Sequence, residues 1–165
     1  MNNNNTNNRI AVFVDVQNIY YTVKHTYHCH FDYQKFWSDL SSQGTIVKAV
    51  AYASDRNCPR QIAFQDILRN IGFEVKLRPY IQRRDGSTKA DWDVGITIDI
   101  IDFADQVDTI ILASGDGDFQ LLANYVRERF NKNFNVYGVP SLTAHTLVEA
   151  ASHYHPISEH YLLKH

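Results

Sequence analysis

Positive charge is not in surplus in this chain. Sixteen Lys and Arg face 18 Asp and Glu, a formal net charge of −2 with a pI near 6.4. That balance argues against a basic protein that coats nucleic acid without discrimination, and leaves room for a nucleic-acid enzyme with an acidic centre beside a local basic patch. Cysteine is nearly absent. Cys29 and Cys58 supply no disulfide framework and suit a reducing compartment. No apolar run approaches the ~20 residues needed to cross a bilayer. The opening stretch, Met1 to Asn8, has neither a cationic start nor an apolar segment, so it is no signal peptide, and the expected compartment is the cytoplasm. A G-x-x-x-x-G-K-[ST] loop is missing, as is a G-x-G-x-x-G turn after a strand, which removes P-loop and dinucleotide chemistry. Position 17 is Gln, so Asp15-Val16-Gln17 lacks the second carboxylate that an aspartyl-phosphate mechanism would use. No Ser or Cys nucleophile with a convincing base stands out. His25, His28, Cys29 and His30 cluster, but their spacing matches no standard zinc finger. No internal repeat or linker is visible.

What is present is an alternation of strand and helix patterns. Residues 1–8 are an Asn-rich, low-complexity tail expected to be disordered, and 9–165 read as a single domain. Arg9 to Val14 is an apolar run ending in Asp15, the pattern of a central parallel strand. A short helix is expected over Ile19–His25, another from the capping Asp32 to Leu40, and a third from Arg60 to Ile71 behind Pro59. Strands are expected over Thr45–Tyr52, Phe73–Tyr80, Asp108–Ala113 and Asn133–Val139, with Pro79 marking an edge or an end. Residues 91–104 are ambiguous. Trp92, Val94, Ile96, Ile98 and Ile100 alternate like a strand, while Val94, Ile98 and Ile101 keep helical spacing. Two parallel strands on either side need a crossover, so 91–104 is read as helix. Gln120–Arg129 and Leu142–Ser152 read as the last helices, and the tail from Tyr154 as room for a short strand. The sum is an α/β fold, a three-layer α/β/α sandwich with a mostly parallel sheet.

In that arrangement Ser114-Gly115-Asp116-Gly117-Asp118-Phe119 sits at the carboxyl end of a strand, where open α/β sheets place their ligand sites. Asp15 ends the first strand, Asn18 follows it, and Asp93 starts the helix leading to the motif strand. Clustered carboxylates repel one another, and a hard divalent cation such as Mg²⁺ or Mn²⁺ relieves that repulsion. The chemistry such a cluster suits is metal-assisted phosphodiester hydrolysis, with Asn18 as a polar companion and Ser114 binding a carboxylate, a water or substrate. The competing reading of the motif is a solvated turn with a helix cap. Asp91, Asp99 and Asp102 share a helix face read as mostly solvated.

Three segments together resemble a family. Phe13-Val14-Asp15-x-x-Asn18, Lys89-Ala90-Asp91-Trp92-Asp93-Val94 and Ser114-Gly115-Asp116-Gly117-Asp118-Phe119 resemble, in order and spacing, the NYN domain. More narrowly they resemble the LabA-like (DUF88) branch of the PIN-like nuclease superfamily. The resemblance implies a Rossmann-like PIN fold and a metal-dependent ribonuclease. It places the acidic, metal-holding site on Asp15, Asp93, Asp116 and Asp118, with Asn18 beside them. Lys89 matches the family's Lys before the second-segment Asp. One departure is visible: the family often has Ala-Asp before its last strand, and Ala151-Ser152 stands here.

For substrate, Lys76, Arg78, Arg83, Arg84 and Lys89 gather near Asp93 and suit a phosphate backbone, with Tyr80 or Trp92 available to stack a base. Single-stranded RNA is the expected substrate, the preference for RNA coming from the family alone. The alternative is a non-catalytic module on the same fold that binds RNA or a protein. The side chains that would carry a homodimer are not legible in the sequence.

Overall fold

A computed structural model describes residues 7–55, 58–79, 81–82, 88–89 and 91–163, with the backbone alone at 79, 81–82 and 88–89. In chain order the elements are β1 (Arg9–Asp15), α1 (Val16–Tyr27), β2 (His30–Phe31), α2 (Tyr33–Ser41), β3 (Thr45–Asp55), α3 (Pro59–Ile71), β4 (Glu74–Pro79), β5 (Ile81–Gln82), β6 (Thr88–Lys89), α4 (Asp93–Phe103), β7 (Thr109–Ala113), α5 (Gln120–Tyr125), β8 (Asn133–Gly138), α6 (His145–Ala150), β9 (His153–Pro156) and β10 (Leu162–Leu163). The principal sheet has the order β4-β3-β1-β7-β8-β9 and is parallel throughout. Two small antiparallel pairs, β10-β2 and β5-β6, complete it. Helices cover both faces, so the architecture is the three-layer α/β sandwich read from the sequence.

The pleat explains the layers. Side chains alternate along a strand, and β1 sends Ile10, Val12 and Val14 to one face and Ala11 and Phe13 to the other. The first face packs on Ile19 and Val23 of α1, Phe36 and Leu40 of α2 and Leu68 of α3. The second packs on Ile96 and Ile100 of α4, Leu122 and Val126 around α5, and Leu147 of α6. All five β1 residues from Ile10 to Val14 are 0% exposed, as a doubly covered central strand requires. The chain leaves β1 towards β3 on one side and returns to β7 on the other. The switch point therefore lies between β1 and β7, which pair directly, Val14 opposite Ala113.

Several expectations need adjustment. Asn8 is not part of a loose tail: its carbonyl accepts from Thr45 N–H (2.8 Å), its side-chain oxygen accepts from Thr109 Oγ1 (3.1 Å), and residues 1–6 lie outside the described ones. Helix α1 starts earlier than expected because Asp15 itself is its N-cap, and it closes at His28 in the left-handed conformation (φ 57°). Residues 117–130 pass through a 3-10 turn (Gly117–Phe119), α5 and a π-helical turn (Val126–Phe130) instead of one regular helix. The last helix is confined to His145–Ala150, since Leu142 to Ala144 are used in contacts with the motif loop. The tail supplies a sixth parallel strand. Ser152 anchors it by donating its N–H to Phe134 O (2.7 Å) and accepting Phe134 N–H on its hydroxyl (2.9 Å), so the departure at Ala151-Ser152 leaves that edge intact.

Candidate metal centre

Asp15 is placed by the end of β1, where its carboxylate faces two ways. One oxygen accepts the Ser114 hydroxyl (3.1 Å), and the other meets the Asn18 N–H at 3.5 Å as the cap of α1. Ser114 is 0% exposed. Its hydroxyl also accepts the Asp116 N–H (3.2 Å). The substrate contact expected of Ser114 is therefore corrected: a buried hydroxyl engaged on both sides positions Asp15 and Asp116 and does not reach a ligand. Asn18 sits in the first turn of α1, and its side-chain oxygen accepts the Gly115 N–H at 2.9 Å. It ties the helix after β1 to the loop after β7.

That loop depends on its glycines for close approach. A Cβ on Gly115 would come 2.5 Å from the Leu142 carbonyl, and one on Gly117 would come 2.8 Å from the Ala144 Cβ. Gly115 O also accepts the Ala144 N–H (3.0 Å). Neither glycine has a positive φ, so intimacy with residues 142–144 explains them and turn conformation does not. Asp116 caps the 3-10 turn by accepting the Asp118 N–H (2.9 Å).

Asp93 is the first residue of α4. Trp92 anchors this helix start: its indole N–H donates to Ala53 O (2.9 Å), its ring lies 5.3 Å from that of Tyr52, and the Arg78 guanidinium lies 5.5 Å from it. The base-stacking role weighed for Trp92 gives way to this structural one. Carboxylate oxygens of Asp93, Asp116 and Asp118 all lie within 4.8 Å of one another. Among the described residues this is the one His, Cys, Asp or Glu grouping of that kind. Asp15 stands beside the triad, close enough for its charge to be felt by Asp93. The histidines and cysteine at 25–30 form no such group. His25 stacks on Tyr21 and His30 on Tyr20, each at 5.8 Å between centroids.

The electrostatics follow from the crowding. Burial pushes Asp15 up to about 6, against the opposing pull of Ser114 and the Asn18 N–H. Asp93 is pushed up to about 7, first by burial and then by its hydrogen bond to Asp116 and the charges of Asp116, Asp15 and Asp91. Burial and mutual repulsion thus raise the proton affinity of both carboxylates when no countercharge is present. A set of hard oxygen donors under mutual repulsion fits Mg²⁺ or Mn²⁺, and it lacks the nitrogen and sulfur donors typical of zinc sites.

Sequence reasoning placed Asp99 on a solvated face, and the structure overturns this. Lys76 Nζ and Tyr52 Oη both donate to Asp99 Oδ2 at 2.7 Å. Burial works against the Asp99 charge, but these two donors outweigh it and hold its carboxyl below the usual range. Lys76 is thereby committed to a structural pair. Of the expected phosphate contacts, Arg83, Arg84 and the side chain of Lys89, like Tyr80, lie outside the described residues.

Fold and site together define a PIN-like α/β domain with an acidic cluster at the switch point of its sheet. The profile of the NYN domain matches residues 9–159, and the chain belongs to that family, within the PIN-like nuclease superfamily. The low amplitude and bright protein LabA of Synechococcus elongatus is similar to it, 27% identical over 154 residues that cover 88% of this chain and 82% of LabA. A crystal structure of a protein of unknown function from Vibrio parahaemolyticus superposes with a TM-score of 0.91 at 50% identity, covering 99% of this chain and 100% of that one. Among the described residues no helix is long and apolar enough to cross a membrane.

Proposed function

We propose that this protein is a Mg²⁺- or Mn²⁺-dependent endoribonuclease that hydrolyses phosphodiester bonds in single-stranded RNA. The observation that carries the reading is convergence. Asp15, Asp93 and the Asp116/Asp118 pair come from three separate chain segments and meet at one edge of the sheet. Asp93, Asp116 and Asp118 would hold the cation, with Asp15 adding negative charge behind them. Bound there, a divalent cation polarises a phosphodiester oxygen and makes a water acidic enough to attack at neutral pH. The chain's own groups do the rest. Ser114 fixes the rotamer of Asp15 and the backbone of Asp116. Asn18 holds the loop through Gly115 and keeps its amide N–H₂ available to orient a phosphate oxygen. Lys89, Arg83 and Arg84, from the segment leading into α4, would track the backbone of the strand.

The test is cleavage of end-labelled single-stranded RNA and DNA by the wild type and by Asp116→Asn, with Mg²⁺, with Mn²⁺ and with EDTA. Metal-dependent RNA cleavage that Asp116→Asn reduces by at least about 100-fold, with thermal melting in EDTA no lower than that of the wild type, is expected for loss of a metal-holding carboxylate. Equal cleavage by the two proteins refutes the assignment. RNA binding without cleavage under any metal would establish the non-catalytic alternative.

A further inference from the structure

Between the buried Asp15 and the Asp32 that caps α2, the chain carries no carboxylate. Residues 16–31 hold Lys24, the histidines at 25, 28 and 30, and Tyr20, Tyr21 and Tyr27. Most of this segment is α1, whose inner side buries Val16, Ile19, Thr22 and Val23. Its outer side keeps two large aromatics in water: Tyr20 is 50% and Tyr21 63% exposed. Both rings are held in place. Tyr20 lies against the His30 ring (5.8 Å between centroids, 25° between planes), and Tyr21 against the His25 ring (5.8 Å, 16°). Lys24 stands one turn past Tyr20, its ammonium donating to the Tyr20 hydroxyl (3.2 Å) and lying 5.4 Å from the centre of the ring. The helix thus presents two aromatic rings of fixed orientation, each paired with an imidazole, with an ammonium beside them.

What this surface fits follows from its position and its charge. It is continuous with the metal centre: Asp15 caps α1, and Asn18 in the first turn accepts the Gly115 N–H of the motif loop. Asn18, Tyr21 and His25 follow one another at steps of three and four residues, so they form one stripe running from that loop along the helix, with Gln17, Tyr20 and Lys24 beside it. Tyr21 stands one turn, roughly 5 Å along the axis, from Asn18. The carboxylates at the head of the stripe belong to the metal centre, where a cation neutralises them. The other bordering acids are turned elsewhere. Asp15 is buried on Ser114, and Asp32 accepts the Lys35 N–H (3.0 Å). The antiparallel β2–β10 register, Leu163 opposite His30 and Leu162 opposite Phe31, carries Glu159 on towards the start of α2. An anionic polymer with open aromatic faces is the partner for such a surface, because unpaired bases stack on rings and phosphates seek cations. We propose that α1 is the single-strand platform of this protein: unpaired bases of the RNA stack on Tyr20 and Tyr21, and Lys24 meets a phosphate. The inference rests on the RNA reading above and adds to it the surface that grips the strand. Helices α1 and α4 cover opposite faces of the sheet, so a strand held by α1 and by the segment before α4 crosses the carboxyl edge where Asp93, Asp116 and Asp118 meet.

Fluorescence anisotropy tests it, with the full chain titrated into a labelled, unstructured RNA of roughly twelve nucleotides in EDTA, so that no cleavage intervenes. The wild type is expected to bind the single strand, and to bind a duplex of the same sequence at least about tenfold more weakly, because its bases are already stacked. Tyr20→Ala combined with Tyr21→Ala is expected to raise the Kd for the single strand about tenfold or more, while Phe at both positions keeps it within about twofold. Lys24→Ala is expected to lower the slope of log Kd against log salt by about 0.7, the share of one phosphate contact on a single strand. A wild type that binds no single strand up to about 100 µM overturns the proposal. So does an alanine pair with an unchanged Kd, a phenylalanine pair as weak as the alanine pair, or a duplex bound as tightly as the single strand. The two readings separate cleanly. Metal-dependent cleavage with an unchanged Kd for the alanine pair leaves the nuclease standing and removes the platform. Binding that the alanine pair loses, in a protein that cuts RNA under no metal, keeps the platform and removes the nuclease.

Discussion

Replacing Asp15 by Asn should stabilise the metal-free protein at neutral pH and leave it unchanged near pH 4. Asp15 is 7% exposed, and burial raises its pKa from 3.8 to about 6. The native state therefore binds more protons than the unfolded chain between those values, and stability falls as pH rises through that window. Raising the group from 3.8 to about 6 means that the charged carboxylate costs about 3 kcal/mol above pH 6 in the absence of a cation, at about 1.36 kcal/mol per tenfold change in proton affinity. Asn is close to isosteric with the protonated acid and never charges. At about 2–4 °C per kcal/mol for a chain of this size, the variant should melt about 6–12 °C above wild type at pH 7.5. The measurement is thermal unfolding followed by circular dichroism in EDTA from pH 4 to 8. The quantity read is the difference between the two proteins, which cancels every other titrating group. Adding Mn²⁺ at pH 7.5 should narrow the gap by stabilising wild type more. A difference that stays flat across the pH range would show that Asp15 carries no such cost, and the account of the site as a crowded, proton-holding cluster would fail.

Other consequences are testable. Mn²⁺ binding at pH 6.5 should expel protons from Asp93, whose pKa is about 7 without metal, and the release should vanish by pH 8.5. Calorimetry in two buffers of different ionisation enthalpy reads this, and pH-independent release would contradict it. Gly115→Ala should destabilise the fold by about 1–3 kcal/mol, because the added methyl meets a backbone carbonyl that cannot swing aside. An unchanged urea midpoint would show the contact to be soft. Asp99→Ala should cost about 1–3 kcal/mol at pH 7 by leaving Tyr52 and Lys76 without their shared acceptor. Folded Asp99 titrates below its unfolded value, so its contribution is present above pH 4 and fades as pH falls through the folded value. The gap from wild type should therefore narrow as the pH falls below the unfolded value, which acid unfolding of the two proteins reads.

The layers were legible because buried parallel strands announce themselves as apolar runs, and a crossover between two of them has to be helical. The same pattern puts Asp15, Asp93, Asp116 and Asp118 at one edge of the sheet. Local patterns could not show what distant segments supply. Nothing in the sequence around Asp99 reveals Lys76 and Tyr52, which lie 23 and 47 residues away. The sequence offers the Ser114 hydroxyl to a carboxylate, a water or substrate alike, and only the neighbouring strand, which seals the strand end that carries it, leaves the carboxylate of Asp15 as its partner. The last helix was drawn too long because Leu142 to Ala144 keep helical spacing while serving as packing for two glycines. The apolar excess of α4, which blurred its periodicity, is surface that the core does not use.

The clasp between Gly115 and residues 142–144 also bears on how the protein acquires its site. The loop carrying Asp116 and Asp118 has no rigid backing until β8 has paired with β7 and the segment before α6 has folded back over it. Asp15, Asp93 and Asp116 are drawn from the first, middle and later thirds of the chain, so the centre forms only once contacts between residues far apart in sequence have been made. A folding intermediate that has assembled β1, β3 and β4 would be compact and helical yet unable to hold a cation. Capacity for metal is then a late reporter of native structure. A hydrogen-exchange experiment should find the Gly115–Phe119 amides gaining protection in step with β8, after the strands on the other side of β1.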